Sequence, residues 1–329
     1  MRSTKKTFAV FFFFIAYSIS AQEINFSDFS LINLQNYPYR TSPITIQRLV
    51  FKDEVQYAYN VIFTSMGLTV SARLSVPAID LQDVKGIIIM LRGHQIQRGY
   101  YTGRGTENPA KRYLENGWAV IAPDFFGYGA SSQAPRPWEM HQFYSAINAV
   151  ELYKSLQQPV FRFDPAVAQR DRVTLPGNFK KIVLWGHSNG GQTAIHFLEI
   201  TGQPVSTVLW APVSIPFPDN IAHFNRNPEW AGRFRETHTA DDFSLIRNLD
   251  KIAPGTAILL EQGTRDNAVP RAWNDALAAA INAENNRRRQ AGIGIINLRY
   301  EVYPNADHNL NPYWNTVLPG NVRFWDSNP

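Results

Sequence analysis

The stretch Lys180 to Gly191, KKIVLWGHSNGG, carries the residues best suited to covalent chemistry. A β-branched apolar run, Ile182-Val183-Leu184-Trp185, leads into a sharp turn, Gly186-His187-Ser188-Asn189-Gly190. An apolar helical pattern follows, with Ala194, Ile195, Phe197, Leu198 and Ile200. Strand, Gly-x-Ser-x-Gly, helix is the context in which a serine becomes a nucleophile elbow. The turn is so tight that side chains two residues either side of the serine would collide, and Gly186 and Gly190 carry none. Ser188 is expected at a strained backbone geometry with its hydroxyl above the sheet edge. The N–H groups that open the helix point at the same place, which suits a developing negative charge. Gly-rich strand-to-helix turns also occur without any catalytic role, so the partners of Ser188 have to decide.

A serine hydroxyl needs a base within hydrogen-bond reach, and the base needs an orienting acid. On a strand–turn–helix scaffold of this kind the chain order is serine, acid, histidine, each after a later strand. Asp266 lies in the turn Gln262 to Pro270, just past the strand-like Thr256 to Glu261. Asp241 and Asp242 precede a helical pattern, where aspartate is a common N-cap, and Asp250 precedes the strand instead of following it. Of the seven histidines, His308 alone lies downstream of Asp266, in the polar turn after the strand-like Ile295 to Tyr303. An oxyanion needs two N–H donors. Asn189 supplies one expected backbone N–H. The loop Arg92-Gly93-His94-Gln95, after the apolar run Gly86 to Leu91, supplies the other, through His94 or its neighbour Gln95.

The elements that must hold these residues are legible as two patterns. Ile44 to Phe51, Val55 to Ser65 and Leu68 to Val76 read as strands. In the last of them Leu68, Val70, Ala72, Leu74 and Val76 alternate with polar residues, so one face is buried and one wet. Met66-Gly67 reads as a hairpin turn. From Gly86 onward the strand-like runs are apolar on both faces and alternate with helical stretches, Trp138 to Leu156 and Arg271 to Arg289 among them. That predicts an α/β fold: a mostly parallel sheet of about eight strands with helices on both faces. Gln22 to Arg40 reads as an arm lying on the domain, and Pro159 to Phe179 as a surface loop. Pro212 to Asp250 reads as an insertion at the C-terminal strand ends, a small lid or a packed excursion. Its aromatics Phe217 and Trp230, with Gln95 and His187, are the candidates to line a substrate pocket.

The first residues carry a different message. Arg2, Lys5 and Lys6 precede an apolar run from Phe8 to Ile19 and small residues at Ser18 to Ala21. Residues 1–21 are therefore expected to be a secretory signal peptide, too short to span a membrane, with residues 22–329 forming a single domain that is secreted or periplasmic. Of the net charge of +5, three positives would leave with the leader, leaving +2. A nucleic-acid partner is not expected on that balance. Arg287-Arg288-Arg289 closes a helical stretch and is expected to sit in water. There is no cysteine, which excludes disulfides, thiol nucleophiles and thiolate metal sites. No cofactor is implied, and no histidine–carboxylate cluster has metal-ligand spacing.

Taken together, these blocks resemble the α/β-hydrolase superfamily over roughly Leu68 to Asn309. The matching stretches are Arg92-Gly93-His94, Asp124-Phe125-Phe126-Gly127-Tyr128-Gly129-Ala130-Ser131, Gly186 to Gly191, and the Asp266 and His308 turns. The extra Gly191 and the Gly263 to Pro270 turn look most like the prolyl-oligopeptidase-type catalytic domain, and secreted esterases share them. The resemblance implies an α/β-hydrolase fold and a serine hydrolase acting through an acyl-enzyme, with Ser188, Asp266 and His308 as its triad. It departs from the family at Arg92, where many members have histidine, and no family-typical tyrosine stands there as an oxyanion donor. The length leaves no room for the β-propeller of full-length oligopeptidases, so an ester is the expected substrate and a peptide the close alternative. A non-catalytic binding protein on the same scaffold is the alternative from another class. The small-molecule ester or peptide is the only partner expected. No membrane contact is expected once the leader is cleaved, and oligomeric state is not legible.

Overall fold

A computed structural model describes residues 26–135 and 138–328; the leader assigned to residues 1–21 lies outside them. The strands are β1 (Ile44–Lys52), β2 (Gln56–Ser65), β3 (Leu68–Pro77), β4 (Gly86–Leu91), β5 (Trp118–Pro123), β6 (Phe161–Phe163), β7 (Ile182–His187), β8 (Thr207–Trp210), β9 (Ala257–Gly263) and β10 (Asn297–Tyr303). The helices are α1 (Leu31–Gln35), α2 (Glu107–Glu115), α3 (His141–Gln157), α4 (Asn189–Thr201), α5 (Asp219–Phe224), α6 (Pro228–Thr237), α7 (Arg271–Gln290) and α8 (Trp314–Ser327).

The described strands form one sheet in the order β10-β9-β8-β7-β4-β5-β3-β2-β1-β6. From β10 to β5 all neighbours are parallel. β3, β2 and β1 add antiparallel neighbours. The two sequence patterns mark the two halves of the sheet, but the polar face of β3 is not wet: Ser71 and Ser75 are buried, and Ser71 donates to Asp124. Met66 and Gly67 both take positive φ, 53° and 73°, and close the β2–β3 hairpin. Ten described strands are close to the eight expected. β6 comes from the stretch read as a surface loop, and it pairs in parallel with the start of β1 (Ile44 with Phe161, Ile46 with Phe163). Three residues are too few to show a period, and their partner lies more than a hundred residues away.

Period two along each central strand feeds two cores. Ile87, Ile89 and Leu91 of β4 face a cluster built with α3, α4 and α7. Ile88 and Met90 face the other side, where Tyr113 and Leu114 of α2 and Val317, Val322 and Trp325 of α8 cover them. β4 and β7 are adjacent, yet the helices that follow them, α2 and α4, pack on opposite faces. Loops diverge at such a switch point and leave a crevice at the strand C-termini. The turn bearing Ser188 and the loop bearing Gly93 both open into it.

The N-terminal arm packs as expected of an arm. Gln35 donates to the Glu199 carbonyl of α4 (2.9 Å), and Phe26 meets Trp230, Phe234 and His238 of the insertion edge-on. The insertion packs into the main core on the α3 side, where Phe217, Phe234 and Phe243 are buried and meet one another, Trp230 and Phe143 of α3 edge-on. Phe217 is 1% exposed and Trp230 is partly exposed, and both pack in this aromatic cluster. The basic run needs a correction too. Arg287 and Arg289 are solvated, but Arg288 is 2% exposed and donates to the carbonyls of Leu249 (3.0 Å) and Ile252 (2.7 Å), where the insertion returns to the sheet.

Candidate active site

Ser188 sits between β7 and α4 at φ 55°, ψ −120°, a conformation that costs a non-glycine residue on the order of 1–3 kcal/mol. The surroundings over-determine it. Its N–H donates to the Trp210 carbonyl (3.0 Å), and its own carbonyl accepts from the N–H groups of Gly191, Gln192 and Val213 (3.0, 3.2 and 3.0 Å). Three glycines make the turn possible. A Cβ on Gly190 would lie 1.8 Å from the Leu91 carbonyl oxygen, one on Gly186 2.6 Å from that of Gly190, and one on Gly191 2.5 Å from Pro212. The start of α4 is thus pressed onto the end of β4, and the loop after β4 follows it. A Cβ on Gly93 would lie 3.0 Å from the Cβ of Ser188.

Arg92 explains how that loop is held. The guanidinium is buried and lies over the rings of Tyr128 (4.0 Å) and Tyr100 (5.0 Å). It donates to the Gly93 carbonyl (3.0 Å) and to the Asp124 carbonyl. Asp124 in turn accepts from Tyr100 Oη (2.7 Å), Ser71 Oγ (2.6 Å) and the Gly103 N–H (3.0 Å). The Asp124 to Ser131 block is therefore a brace for the loop after β4. Gln95 belongs to the same brace: its carbonyl accepts from Tyr128 Oη (2.7 Å), and its side chain closes over Gly105. His94 reaches solvent; partial desolvation of its ring by the surrounding loop, with the Arg92 charge next, lowers its pKa.

Asp266 and His308 come together as the chain order requires. His308 Nδ1 lies 2.8 Å from Asp266 Oδ2, with the Asp266 side chain fully buried and His308 one-fifth exposed. Asp266 Oδ1 accepts from the N–H groups of Ala268 and Val269, both at 2.8 Å. Burial works to raise the Asp266 pKa, but the His308 hydrogen bond and charge and the two N–H donors outweigh it and hold the carboxyl below its ordinary value. The two turns interlock through Gly263, where a Cβ would lie 2.3 Å from the Ala306 carbonyl oxygen. Arg265 N–H donates to that same carbonyl (2.9 Å).

His187 joins this pair to the elbow. Its Nε2 donates to the His308 carbonyl (3.0 Å), and the two rings lie 4.6 Å apart. Burial, and next the positive charge of His308, push the His187 pKa down to about 4, so the ring stays neutral beside an imidazolium. Its hydrogen bond and ring contact make it a support for His308. Sequence reasoning assigned no role to Gln262, although two polar residues, Glu261 and Gln262, ending an apolar strand were a usable signal. Among the described residues no group of three or more His, Asp or Glu side chains could hold a metal.

The family profile described as alpha/beta hydrolase fold matches residues 102–236. No curated protein sequence matches the chain. Solved structures do. Est1E from Butyrivibrio proteoclasticus, bound to ferulic acid, superposes with a TM-score of 0.56 at 17% identity over 81% of this chain and 98% of that one. Acetyl xylan esterase 1 from Thermoanaerobacterium sp. JW/SL YS485 gives 0.61 at 13% over 91% and 93%. Dipeptidyl peptidase 4 from Porphyromonas gingivalis gives 0.55 at 15%, over 84% of this chain but only 36% of the peptidase. With the sheet order, the elbow and these likenesses in agreement, the chain has the α/β-hydrolase fold, the fold it shares with esterases and a dipeptidyl peptidase alike.

Proposed function

We propose that the protein is a serine hydrolase that cleaves a carboxylic ester through an acyl-enzyme. The observation that carries this reading is the Asp266–His308 pair, tied through the His308 carbonyl to His187, the residue before the strained serine of the elbow. Ser188 Oγ attacks the carbonyl carbon while His308 Nε2 takes its proton, and Asp266 stabilises the imidazolium. The oxyanion accepts from the backbone N–H groups of Asn189 and His94. Collapse breaks the ester C–O bond, and His308 returns the proton to the departing alcohol. A water then repeats the sequence on the acyl-Ser188 ester, with His308 as base, and releases the acid.

The preference for an ester rests on coverage: this chain spans nearly the whole of two esterases and about a third of the peptidase. A peptidase of the oligopeptidase type is the second reading, favoured by that same fold likeness. Wild type is expected to turn over nitrophenyl esters and to label at Ser188 with a fluorophosphonate, and Ser188→Ala to do neither. Negligible ester turnover with substantial turnover of peptide anilides would move the assignment to a peptidase; neither turnover nor labelling would leave a binding protein. The charged, apolar and small-residue pattern of residues 1–21 supports export, with N-terminal sequencing of the mature protein as its check. Among the described residues no helix is long and apolar enough to cross a membrane.

A further inference from the structure

Asp266 Oδ2 accepts a second hydrogen bond, besides that from His308. Gln262 Nε2 lies 3.1 Å from it, inside the protein, with Gln262 fully buried. The chain of contacts continues. Asn274 Nδ2 donates to Gln262 Oε1 (2.6 Å), and Ser214 Oγ donates to Asn274 Oδ1 (2.8 Å). Asn274 and Ser214 are buried as well. Asn274 is on α7, and Ser214 lies four residues past β8, at the root of the insertion.

Chemistry fixes the direction of every link. One end of the Gln262 amide faces three oxygens: Asp266 Oδ2, the Gly263 carbonyl (3.0 Å) and the Val269 carbonyl (3.3 Å). Only the NH2 end can face three acceptors. Gln262 Oε1 must then point at a donor, which fixes Asn274 with its NH2 inward and its carbonyl oxygen toward Ser214. The serine hydroxyl supplies the last hydrogen. All donors therefore run one way and end on the carboxylate, the arrangement in which successive hydrogen bonds polarise one another.

We infer that Gln262, Asn274 and Ser214 are positioning residues for Asp266, a buried relay that aims its carboxylate at His308 and ties that aim to the root of the insertion. The inference rests on the hydrolase reading for its kinetic consequences, but its geometric content does not. With Oδ1 pinned by two backbone N–H groups, the Gln262 donor is what keeps Oδ2 in the plane that His308 Nδ1 meets. It also takes part of the charge on Oδ2, which would otherwise all act on the imidazole.

The test uses Gln262→Met, which keeps length and removes the donor, and Ser214→Ala, which cuts the far end without touching Asp266. Ser214→Thr restores the hydroxyl. Gln262→Met is expected to lower kcat about tenfold with KM little changed. It is also expected to move the acid limb of kcat/KM to higher pH, because the less compensated carboxylate favours the imidazolium. Ser214→Ala is expected to shift both in the same direction by less, and Ser214→Thr to recover them. The low-field proton resonance of the His308 Nδ1–H is read in parallel by NMR and needs no turnover. A moved resonance in Gln262→Met supports the relay even if Ser188 labels with no fluorophosphonate, in which case the hydrolase reading alone fails. An unmoved resonance in both Gln262→Met and Ser214→Ala, with an unchanged acid limb, overturns the relay. Should Gln262→Met not fold, Ser214→Ala against Ser214→Thr decides on the same readouts.

Discussion

Glu261 offers the sharpest stability prediction. It is fully buried in β9, five residues before Asp266, and its carboxyl touches Tyr303 Oη (2.8 Å) and Asn321 Nδ2 (2.7 Å). Tyr303 Oη is also 2.6 Å from Glu301 Oε2. A phenol has one hydrogen, so it cannot donate to both carboxylates. One carboxyl must be protonated, and burial selects Glu261, since Glu301 is partly exposed and paired with Arg299. Burial is likewise the largest influence on Glu261, and its pKa is pushed up to about 8. The other groups facing it, Asn321 with Tyr113 and Trp210 behind it, are neutral. A carboxyl raised in the folded state binds a proton that the unfolded chain has released. Its contribution to stability is therefore complete below the unfolded pKa of about 4.5 and is lost as pH rises toward 8.

Glu261→Gln mimics the protonated form, with its NH2 donating to Tyr303 and its carbonyl accepting from Asn321. The window must avoid the histidines. His141, His187 and His196 are pushed down to about 4 by burial, so each adds stability as pH rises through 4 to 6.5 and none above that. Between pH 6.5 and 8 the wild type is expected to lose about 2 kcal/mol relative to Glu261→Gln, from about 1.4 kcal/mol per pH step of one retained proton. Urea unfolding at several pH values measures this as a stability difference that shifts toward the variant as pH rises. The buried Glu199, raised by burial in the same sense, is common to both proteins and cancels. Parallel stability curves for the two proteins across the window would refute the buried proton.

Other predictions follow from named contacts. Gly263→Ala is expected to force the Asp266 and His308 turns apart, because its Cβ would meet two backbone oxygens at 2.3 and 2.6 Å. A stability loss of about 1–3 kcal/mol by denaturant titration should accompany a kcat loss larger than the unfolded fraction explains. Arg288→Ala would leave the Ile252 carbonyl without its donor and take one partner each from the Leu249 carbonyl and from Glu284, which keeps its pair with Arg287; about 1–3 kcal/mol of stability should go with it, with ester kinetics of the folded fraction unchanged. His187→Phe removes the donor to the His308 carbonyl and should lower kcat about tenfold by misplacing the base, whereas His187→Gln can still donate and should keep more of the rate.

Much of the site could be read before any coordinates because its parts obey local rules. The elbow announces itself through glycines whose missing Cβ atoms are required by contacts within a few residues or with the next strand. The continuous apolar runs of β4, β5, β7, β8 and β9 follow from burial on both faces. Other features depend on what lies across the fold. Phe217 and Trp230 look the same in sequence whether they face a substrate or each other, and only the packing of α5 and α6 decides. Arg288 differs from Arg287 and Arg289 solely in the side of α7 it occupies, which turns it to the returning insertion. Gln262 and Glu261 were visible as polar residues in an apolar strand. Their partners, Asn274 and Asn321, lie 12 and 60 residues away.

The contacts divide the site into two bodies. β9 and β10 carry Asp266 and His308, and they are fastened by seven register pairs, by the Glu261–Tyr303 contact and by the close approach at Gly263. β4 and β7 carry Gly93 and Ser188, and they are fastened by their own pairing and by the glycines of the elbow. Within each body the geometry is stiff, since any change must break backbone hydrogen bonds. Between them stands β8, which pairs with both, and its far end leads into the insertion. In the proposed triad the approach of Ser188 to His308 is thus a distance that no strand pair sets directly. Two side-chain systems bear on it: His187, bonded to the His308 carbonyl, and the relay from Ser214 to Asp266. A substrate that moved the root of the insertion would act on the second of these and reach the acid before it touched the serine.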